Sequence, residues 1–494
     1  MLAWTIYISF LGVLVLTLLP AGEKRLARAV ALVSSLAGLF AALGGAFQFQ
    51  PDEGIHTIVN VPWIPSLGIN YFLAADGISV TLVVLTGIAA VTGVLFSWNV
   101  EHRVKEFFAF FLALIGSVYG VFLSFDLFLL FVFYELAIIP KYFIIAIWGS
   151  KNRDYAAMKL VLYSFIGSAL VLIGMVGAFV VAGMKTMDII ALSKFAFSEQ
   201  FQYWAFPFVF IGFAVLAGMW PFHTWAPTGH VAAPTAASML LAGVVMKLGA
   251  YGALRVAVTL FPAGLKEWAG PIACIAVAGI VYGAMVALVQ KDFKFVIGYS
   301  SVSHMGFVLL GLVTLNEIGL SGAVLQMYSH GIIAGLLFGV VGRMVYDRAH
   351  TRELDELEGM KLSKAIPFAA VTFVIAGVAS MGMPGFSGFV AELSVLVGAW
   401  NTYPTLAVIA GVGIIIGVAY TLRALQKAFF SDEGKPPRDA PEHLEPITVP
   451  ERVGAAILIA ATLIIGLYPR LLLDMINASF NTPLFDGLRK GGLL

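Results

Sequence analysis

The sequence predicts an all-α polytopic membrane protein with about 14 transmembrane helices. Of its 494 residues, 60% are hydrophobic and only 12% are charged, and a soluble domain carries roughly twice that share of charge. The apolar residues form continuous runs of about 20, the length that a helix needs to cross a bilayer. These runs are longer and more continuous than the strands of a membrane β-barrel.

Apolar runs of spanning length occur fourteen times along the chain. The first run follows no positive charge, so we expect a retained helix and not a signal peptide. Prolines interrupt the seventh run at Pro221 and Pro227 and the twelfth at Pro384, which predicts two broken helices. The predicted spans are 2–19, 28–47, 76–98, 107–123, 125–148, 157–182, 204–229, 234–258, 269–290, 294–314, 320–346, 365–400, 405–430 and 452–473.

Spans 4–8 and 9–13 form two sets of five, and the fourth span of each set is broken by proline. Five is an odd number, so the two sets would be inverted relative to each other, an arrangement that places a site at mid-membrane in many transporters. We therefore divide the chain into three N-terminal helices (1–106), the first inverted repeat with the following span (107–290), the second repeat region with broken helix 12 (291–430), a linker (431–451), and helix 14 with the tail (452–494).

The positive charges predict the orientation. Twenty of the 29 Lys and Arg residues fall in connections after odd-numbered spans, and seven fall in connections after even-numbered spans or in the tail. Because cytoplasmic connections are enriched in Lys and Arg, both termini should lie on the non-cytoplasmic side of the inner (plasma) membrane. The polar segment Ser431–Glu451 would then be a cytoplasmic linker.

Several functional classes are disfavoured. The net charge is +1 and no basic tail is present, so nothing indicates a nucleic-acid partner. The single cysteine, Cys274, lies in an apolar run, which excludes a disulfide within the chain and a cysteine-based metal or iron–sulfur site. No glycine-rich phosphate loop follows a strand. We expect no cofactor in this chain, so any electron transfer would take place in other subunits.

A carboxylate, Glu135, lies near the middle of the apolar stretch Asp126–Gly149. A charge at this depth costs several kcal/mol unless it faces the protein interior or water. Glu135 is either part of a buried ion pair that fixes helix packing or part of a proton or ion relay. Further charges at similar depth favour the relay.

Lys247 and two histidines are the next ionisable residues within spans. A lysine without a counter-charge in an apolar interior can exist without its proton, which suits a group that loads and unloads protons; the alternative is a side chain that extends to the membrane interface. His304 and His330 lie 26 residues apart on successive spans. Imidazole titrates near working pH, although a lone buried histidine is often only a packing residue.

Glu392 follows the break in span 12, where it could also be a simple helix-end carboxylate. Along the chain the order is carboxylate, lysine, histidine, histidine, carboxylate, and protons could hop along such a row with intervening water. His223 and His230 flank the break in span 7. We expect them to line a cytoplasmic mouth, with metal binding as a weaker alternative.

Three stretches, MWPFHTWAPTGHVAAPTAASMLLAGVVMKLGAYGALR, QKDFKFVIGYSSVSHMGFV and MPGFSGFVAEL, resemble the antiporter-like membrane subunits of respiratory complex I. Glu392 and the short segment after span 14 favour the M type. The resemblance implies fourteen helices with two inverted five-helix repeats, and other membrane subunits as partners. It also implies a proton path formed by the helix-5 glutamate, the central lysine, two connecting histidines and a terminal group, which are Glu135, Lys247, His304, His330 and Glu392.

The chain departs from this family at one position. The family carries a lysine on span 7 that partners the helix-5 glutamate, and here the equivalent residue is Leu216. Three functions therefore remain open. The first is a proton-translocating subunit of an NADH:quinone oxidoreductase, and the second is a subunit of a cation/proton antiporter or membrane-bound hydrogenase. The third is a spacer subunit that does not pump.

Lys141 is a candidate replacement for the missing lysine. It follows Glu135 by six residues on the same span, which corresponds to about 240° of rotation and roughly 9 Å of rise on an ideal helix. Pro140 lies between them and can kink the helix and free a carbonyl that admits water. We predict that Lys141 points inward and takes the role of the missing lysine, directly or through water. The alternative is a Lys141 that extends to the cytoplasmic interface.

Overall fold

The computed structural model describes residues 1–20, 22–431 and 443–494 and is almost entirely helical. Within these ranges, twelve helices are long and apolar enough to cross a membrane, and two shorter apolar helices cover Ala3–Leu18 and Pro367–Ser380. The predicted class of polytopic α-helical membrane protein is confirmed. The count of fourteen spans and the inverted repeats stay predictions.

The elements of the N-terminal half run from α1 to α12 and include one β-hairpin. Their bounds are α1 Ala3–Leu18, α2 Lys24–Gln48, β1 His56–Ile64, β2 Ile69–Ala75, α3 Gly77–Phe96, α4 Val104–Leu123, α5 Leu127–Leu136, α6 Ile138–Trp148, α7 Arg153–Val181, α8 Ile189–Ser193, α9 Glu199–Ala217, α10 Trp225–Ala232, α11 Thr235–Leu240 and α12 Met246–Gly252. A π-helical turn, Leu241–Val245, joins α11 and α12, and a second, Ala253–Val258, extends α12, so that one continuous helix covers Thr235–Val258.

The remaining helices run from α13 to α24. Their bounds are α13 Pro262–Val289, α14 Phe293–Leu312, α15 Glu317–Phe338, α16 Asp347–Ala349, α17 Leu354–Leu357, α18 Leu362–Ala365, α19 Pro367–Ser380, α20 Ser387–Thr402, α21 Pro404–Leu425, α22 Val449–Leu467, α23 Arg470–Phe480 and α24 Asp486–Lys490. A π-helical stretch extends α15, so that the continuous helix covers Glu317–Ala349.

Both broken helices occur where the prolines predict them. In span 7, α9 ends at Ala217, the capping residue Gly218 has a φ of 82°, and α10 begins at Trp225. The indole of Trp225 donates to the Val215 carbonyl at 2.8 Å and so satisfies a carbonyl near the end of α9. In span 12, α19 ends at Ser380 and α20 begins at Ser387. The break therefore places the first turn of α20 inside the bundle.

Span 5 is also interrupted. Helix α5 ends at Leu136 and α6 begins at Ile138, with Ala137 between them. Pro140 has no N–H for the carbonyl of Leu136, and its ring would clash with that carbonyl in a regular helix. The interruption thus lies between Glu135 and Lys141, where a kink from Pro140 was expected.

Two elements at the ends of predicted spans were not anticipated. The connection after α2 contains the antiparallel hairpin of β1 and β2, with His56 paired to Ala75. The last predicted span, 452–473, is too long at its C-terminus, because α22 ends at Leu467 and a separate helix, α23, begins at Arg470. Most of the predicted linker 431–451 lies outside the described residues.

A buried ion pair between Arg255 and Asp76 was not predicted, because Arg255 lies near the end of an apolar run, where a charge normally faces water. Arg255 instead lies inside the continuous helix Thr235–Val258 and is 1% exposed. Its guanidinium donates twice to the Asp76 carboxylate, at 2.7 Å each, and its carbon lies 4.8 Å from the Phe125 ring centroid. Asp76 also caps α3 through the Ser79 N–H. The pair fixes the helix that carries Lys247 against α3.

Candidate functional site

Lys247 lies on a helix that is buried along its whole length. The π-helical turn Leu241–Val245 comes directly before it, and such turns are frequent at functional sites. Gly249 faces α9 so closely that an added Cβ would lie 2.6 Å from the Ala217 nitrogen. Glycine at this position therefore allows the two helices to pack tightly beside Lys247.

The Lys247 ammonium has two polar partners. Its Nζ lies 2.6 Å from His330 Nδ1 on α15 and donates to the Ala242 carbonyl, which belongs to the preceding π-helical turn. The side chain is 0% exposed, so it does not extend to the membrane interface. The two helices approach closely at Gly243 and Gly331, where a Cβ on Gly331 would lie 2.6 Å from the Gly243 carbonyl oxygen.

His304 and Glu392 form the second contact pair. His304 Nδ1 lies 2.9 Å from Glu392 Oε1, and His304 Nε2 lies 3.2 Å from Ser380 Oγ at the end of α19. The same Glu392 oxygen accepts from the Gln326 amide at 3.2 Å. The break in span 12 supplies Ser380 on one side and Glu392 on the other. Glu392 is therefore a buried partner of His304 rather than an exposed helix-end carboxylate.

The two pairs lie next to each other. The rings of His304 and His330 are 5.5 Å apart between centroids and inclined by 33°. The structure thus brings Lys247, His330, His304 and Glu392 together, but His330 and not His304 lies next to Lys247, so the two histidines occur in the reverse of their predicted order. Among the neighbouring polar side chains, Ser301 and Ser303 donate to carbonyls, those of Ile297 and Ile280 respectively.

Ser329 is placed differently from those two serines. Its hydroxyl lies 2.8 Å from Ser387 Oγ, and it lines a small cavity together with His304, His330 and Glu392. A sequence cannot show which of several serines near a histidine faces it, because that depends on helix rotation.

Glu135 and Lys141 face the same neighbour, α7. The Lys141 side chain is 1% exposed, and its Nζ lies 3.4 Å from Ser164 Oγ. Glu135 interacts electrostatically with Lys141 and with the Ser168 hydroxyl, one helical turn from Ser164. Among the described residues the two charged groups form no direct ion pair, and Glu135 Oε1 is buried without a partner. Lys141 therefore points inward, as predicted, and does not extend to the cytoplasmic interface.

Leu216, in place of the family lysine, is 2% exposed on α9. Its carbonyl carbon lies 3.1 Å from the Cβ that Gly249 would carry, so it packs two residues from Lys247 on the neighbouring helix. One turn earlier on α9, the Phe213 ring packs against Gly252 of the Lys247 helix and meets Tyr134 of α5 edge-on, with ring centroids 5.3 Å apart. Leu216 thus belongs to the apolar core beside the helix of Lys247.

His223 and His230 lie apart in different surroundings. The His223 ring meets Tyr282 at 5.2 Å between centroids. His230 is fully buried beside Phe338, also at 5.2 Å, and interacts electrostatically with Lys247 and Lys294. The expectation that both line an open mouth does not fit His230. Within the described ranges, no group of three or more His, Cys, Asp or Glu side chains could hold a metal ion.

The chain is similar to known membrane subunits along most of its length. Residues 124–417 match the family described as NADH:quinone oxidoreductase/Mrp antiporter, transmembrane. NADH-quinone oxidoreductase subunit M of Rhodobacter capsulatus is 38% identical over 474 residues, which cover 93% of this chain and 90% of the relative. Subunit M of Pseudomonas aeruginosa is 36% identical over 503 residues, with 97% and 96% covered.

Solved structures show the same fold. A chain of respiratory complex I from Thermus thermophilus with bound NADH superimposes with a TM-score of 0.88 and 27% identity, covering 98% of this chain and all of that one. A chain of the Mrp complex from Dietzia shares the fold, with a TM-score of 0.84, 22% identity, and 100% and 99% covered. The resemblance seen in the sequence motifs is confirmed, and the chain belongs to the NADH:quinone oxidoreductase/Mrp antiporter family of membrane subunits.

Proposed function

We propose that this chain is the proton-translocating, M-type subunit of a membrane NADH:quinone oxidoreductase and assembles with other membrane subunits of that complex. The observation that carries the proposal is the buried row of Lys247, His330, His304 and Glu392, in which lysine contacts histidine at 2.6 Å and histidine contacts carboxylate at 2.9 Å. A row of groups that can each gain and lose a proton is what proton transfer within an apolar interior requires.

The order of the groups sets the order of the steps. A proton on Lys247 Nζ can pass to His330 Nδ1, which already lies at hydrogen-bonding distance. At the other end, a proton on His304 Nδ1 can pass to Glu392 Oε1. Each step breaks one N–H bond and forms one N–H or O–H bond, and no electrons are exchanged. Reduction of quinone in partner subunits would supply the energy by changing the charge and hydration around Lys247.

A cation/proton antiporter or hydrogenase-type complex is the second candidate. The Dietzia structure supports it only through a shared fold, at 22% identity. The subunit M relatives are 38% and 36% identical over more than nine-tenths of this chain, and Glu392 stands where the antiporters usually have lysine. These observations favour the oxidoreductase. The spacer alternative rests on Leu216 alone.

The inward position of Lys141 supports an active first half of the path. Lys141 and Glu135 lie on either side of the α5–α6 interruption, and Ser164 and Ser168 of α7 lie beside them. Two hydroxyls one turn apart can connect the two charged groups through water. We propose that Lys141 substitutes for the lysine that the family carries at position 216.

A first test removes the central lysine. In the assembled complex, Lys247→Ala should slow proton transfer through this chain by roughly 100-fold or more, as expected when a positioned proton-transfer group is lost. Lys247→Arg should fail as well, because arginine keeps its proton, whereas a packing role would tolerate it. Proton uptake by liposomes containing the purified complex measures this, with the exposed Lys194→Ala as control. Normal pumping by assembled Lys247→Ala would contradict the proposal.

A second test moves the lysine of the first half. Lys141→Met keeps the volume of the side chain but removes its charge, so pumping should fall while the complex assembles. Adding Leu216→Lys to Lys141→Met should restore part of the pumping, because it returns the positive charge to the position used by the family. The same liposome assay measures proton pumping by the single and the double variant. Unchanged pumping in Lys141→Met would show that Glu135 works without this lysine.

A third test concerns orientation, which we propose on the positive charges of the connections. Glu445 and Asn60 are both exposed and should lie on opposite sides of the membrane. In a Cys274→Ser background, a membrane-impermeant thiol reagent added to intact spheroplasts should label Asn60→Cys and spare Glu445→Cys until the cells are opened. The reverse labelling pattern would overturn the proposed topology.

A further inference from the structure

The row has a gap between its two histidines. His330 uses Nδ1 for Lys247, while both nitrogens of His304 are engaged, one by Glu392 and the other by Ser380. The ring centroids of the two histidines are 5.5 Å apart, and no hydrogen bond joins the rings directly. A proton that reaches His330 therefore needs a carrier to continue toward Glu392.

Two buried polar atoms near this gap have no partner among the described residues: His330 Nε2 and Gln326 Oε1. Gln326 is 1% exposed. Its amide orientation is fixed, because its NH₂ group donates to the Glu392 carboxylate at 3.2 Å and a carboxylate oxygen can only accept. The Gln326 carbonyl oxygen must therefore face away from that bond. Leaving a buried polar atom unpaired is destabilising, so both atoms are expected to bind a ligand.

Both residues line the same small cavity. Its walls include His304, Gln326, Ser329, His330, Ser380 and Glu392, and its volume is about 10 Å³, measured as the space open to the centre of a water molecule. A cavity of roughly this size holds one water, provided that two to four polar groups surround it. The cavity is too small for an ion with its own hydration shell or for any organic ligand.

We propose that this cavity is a binding site for a single water molecule that joins the two halves of the row, and that Gln326 is the residue that positions it. This inference rests on the proposed function. The water accepts from His330 Nε2–H and donates to Gln326 Oε1, which leaves its second hydrogen free for the Glu392 carboxylate. Gln326 thereby holds the water and the terminal carboxylate at once, through the two ends of its amide.

The transfer through the site balances. Lys247 gives a proton to His330 Nδ1, and the resulting imidazolium releases the proton on Nε2 to the water. The water passes one of its hydrogens to the Glu392 carboxylate and is left unchanged. The N–H bonds of Lys247 Nζ and His330 Nε2 break, and an N–H bond on His330 Nδ1 and an O–H bond on Glu392 form, with no change in oxidation state. His330 is left with its proton on Nδ1, so its tautomer must be reset before Lys247 delivers the next proton.

Two variants of Gln326 separate positioning from packing. Gln326→Leu removes both ends of the amide, and proton transfer through this chain should slow by roughly tenfold or more. Gln326→Glu keeps an oxygen toward the water and puts a second ionisable group beside Glu392. It should therefore retain more pumping than Gln326→Leu and change the pH profile of pumping. The control is Ser321→Ala on the same helix, whose hydroxyl bonds Asn477 at 2.6 Å, away from the cavity.

The variants are measured as the whole complex in liposomes, alongside an electron cryo-microscopy map of the parent complex that resolves ordered water. The map should show one water within hydrogen-bonding distance of His330 Nε2 and Gln326 Oε1. A map without water density at this position, or parent-like pumping by Gln326→Leu, would overturn the water site. The water site would also be overturned if Gln326→Glu pumped as slowly as Gln326→Leu and kept the pH profile of the parent complex. None of these results would affect the proposed function, which depends on Lys247 and is tested separately at that residue.

Discussion

The contact between Lys247 Nζ and His330 Nδ1, at 2.6 Å, is the interaction on which the rest of the site depends. A lysine at the centre of a membrane helix costs about 2.5–3.5 kcal/mol on insertion scales, and Lys247 is fully buried. A histidine partner reduces this cost without fixing the proton on either group, since both nitrogens can carry it. A carboxylate partner would instead hold the lysine in its charged form, as Asp76 holds Arg255.

Lys247 and Arg255, the two cations of the helix Thr235–Val258, differ in their partners. Arg255 lies eight residues from Lys247 and is bound on several sides, by the Asp76 carboxylate, by Tyr251 and by the Phe125 ring. An ion pair with this many partners is rigid, and it holds the helix in place. Lys247 instead contacts the His330 imidazole and the Ala242 carbonyl, and Ala242 belongs to the π-helical turn that precedes Lys247. Because Arg255 anchors one part of this helix, Lys247 stays opposite His330 of α15.

The sequence predicted the helical class, the two broken helices and four ionisable residues that the structure brings into contact, but not the order of the two histidines. Apolar runs, prolines within them and charges at mid-span are local signals, and each has a strong physical cause in a bilayer. The inward position of Lys141 followed from the same argument. The family match then confirmed what the motifs around Lys247 and His304 had indicated.

What could not be predicted depends on contacts between distant segments. Asp76 and Arg255 are 179 residues apart, and each lies near the end of an apolar run, where a charge normally faces water. The cavity beside Gln326 depends on which face of α15 meets α20, and glutamine within an apolar run is a weak signal alone. Ser301 and Ser303 lie close to His304 in the sequence, yet their hydroxyls bond to backbone carbonyls.

In the proposed function, the row is a continuous proton path that ends on the Glu392 carboxylate. The number of protons pumped per NADH oxidised by the purified complex, compared between the parent, Glu392→Gln and Glu392→Asp, tests this most directly. Glutamine keeps the shape and hydrogen-bonding capacity of Glu392 but cannot take up a proton, so the ratio should fall in Glu392→Gln and stay near the parent value in Glu392→Asp. A parent-like ratio in a fully assembled Glu392→Gln complex would contradict the account.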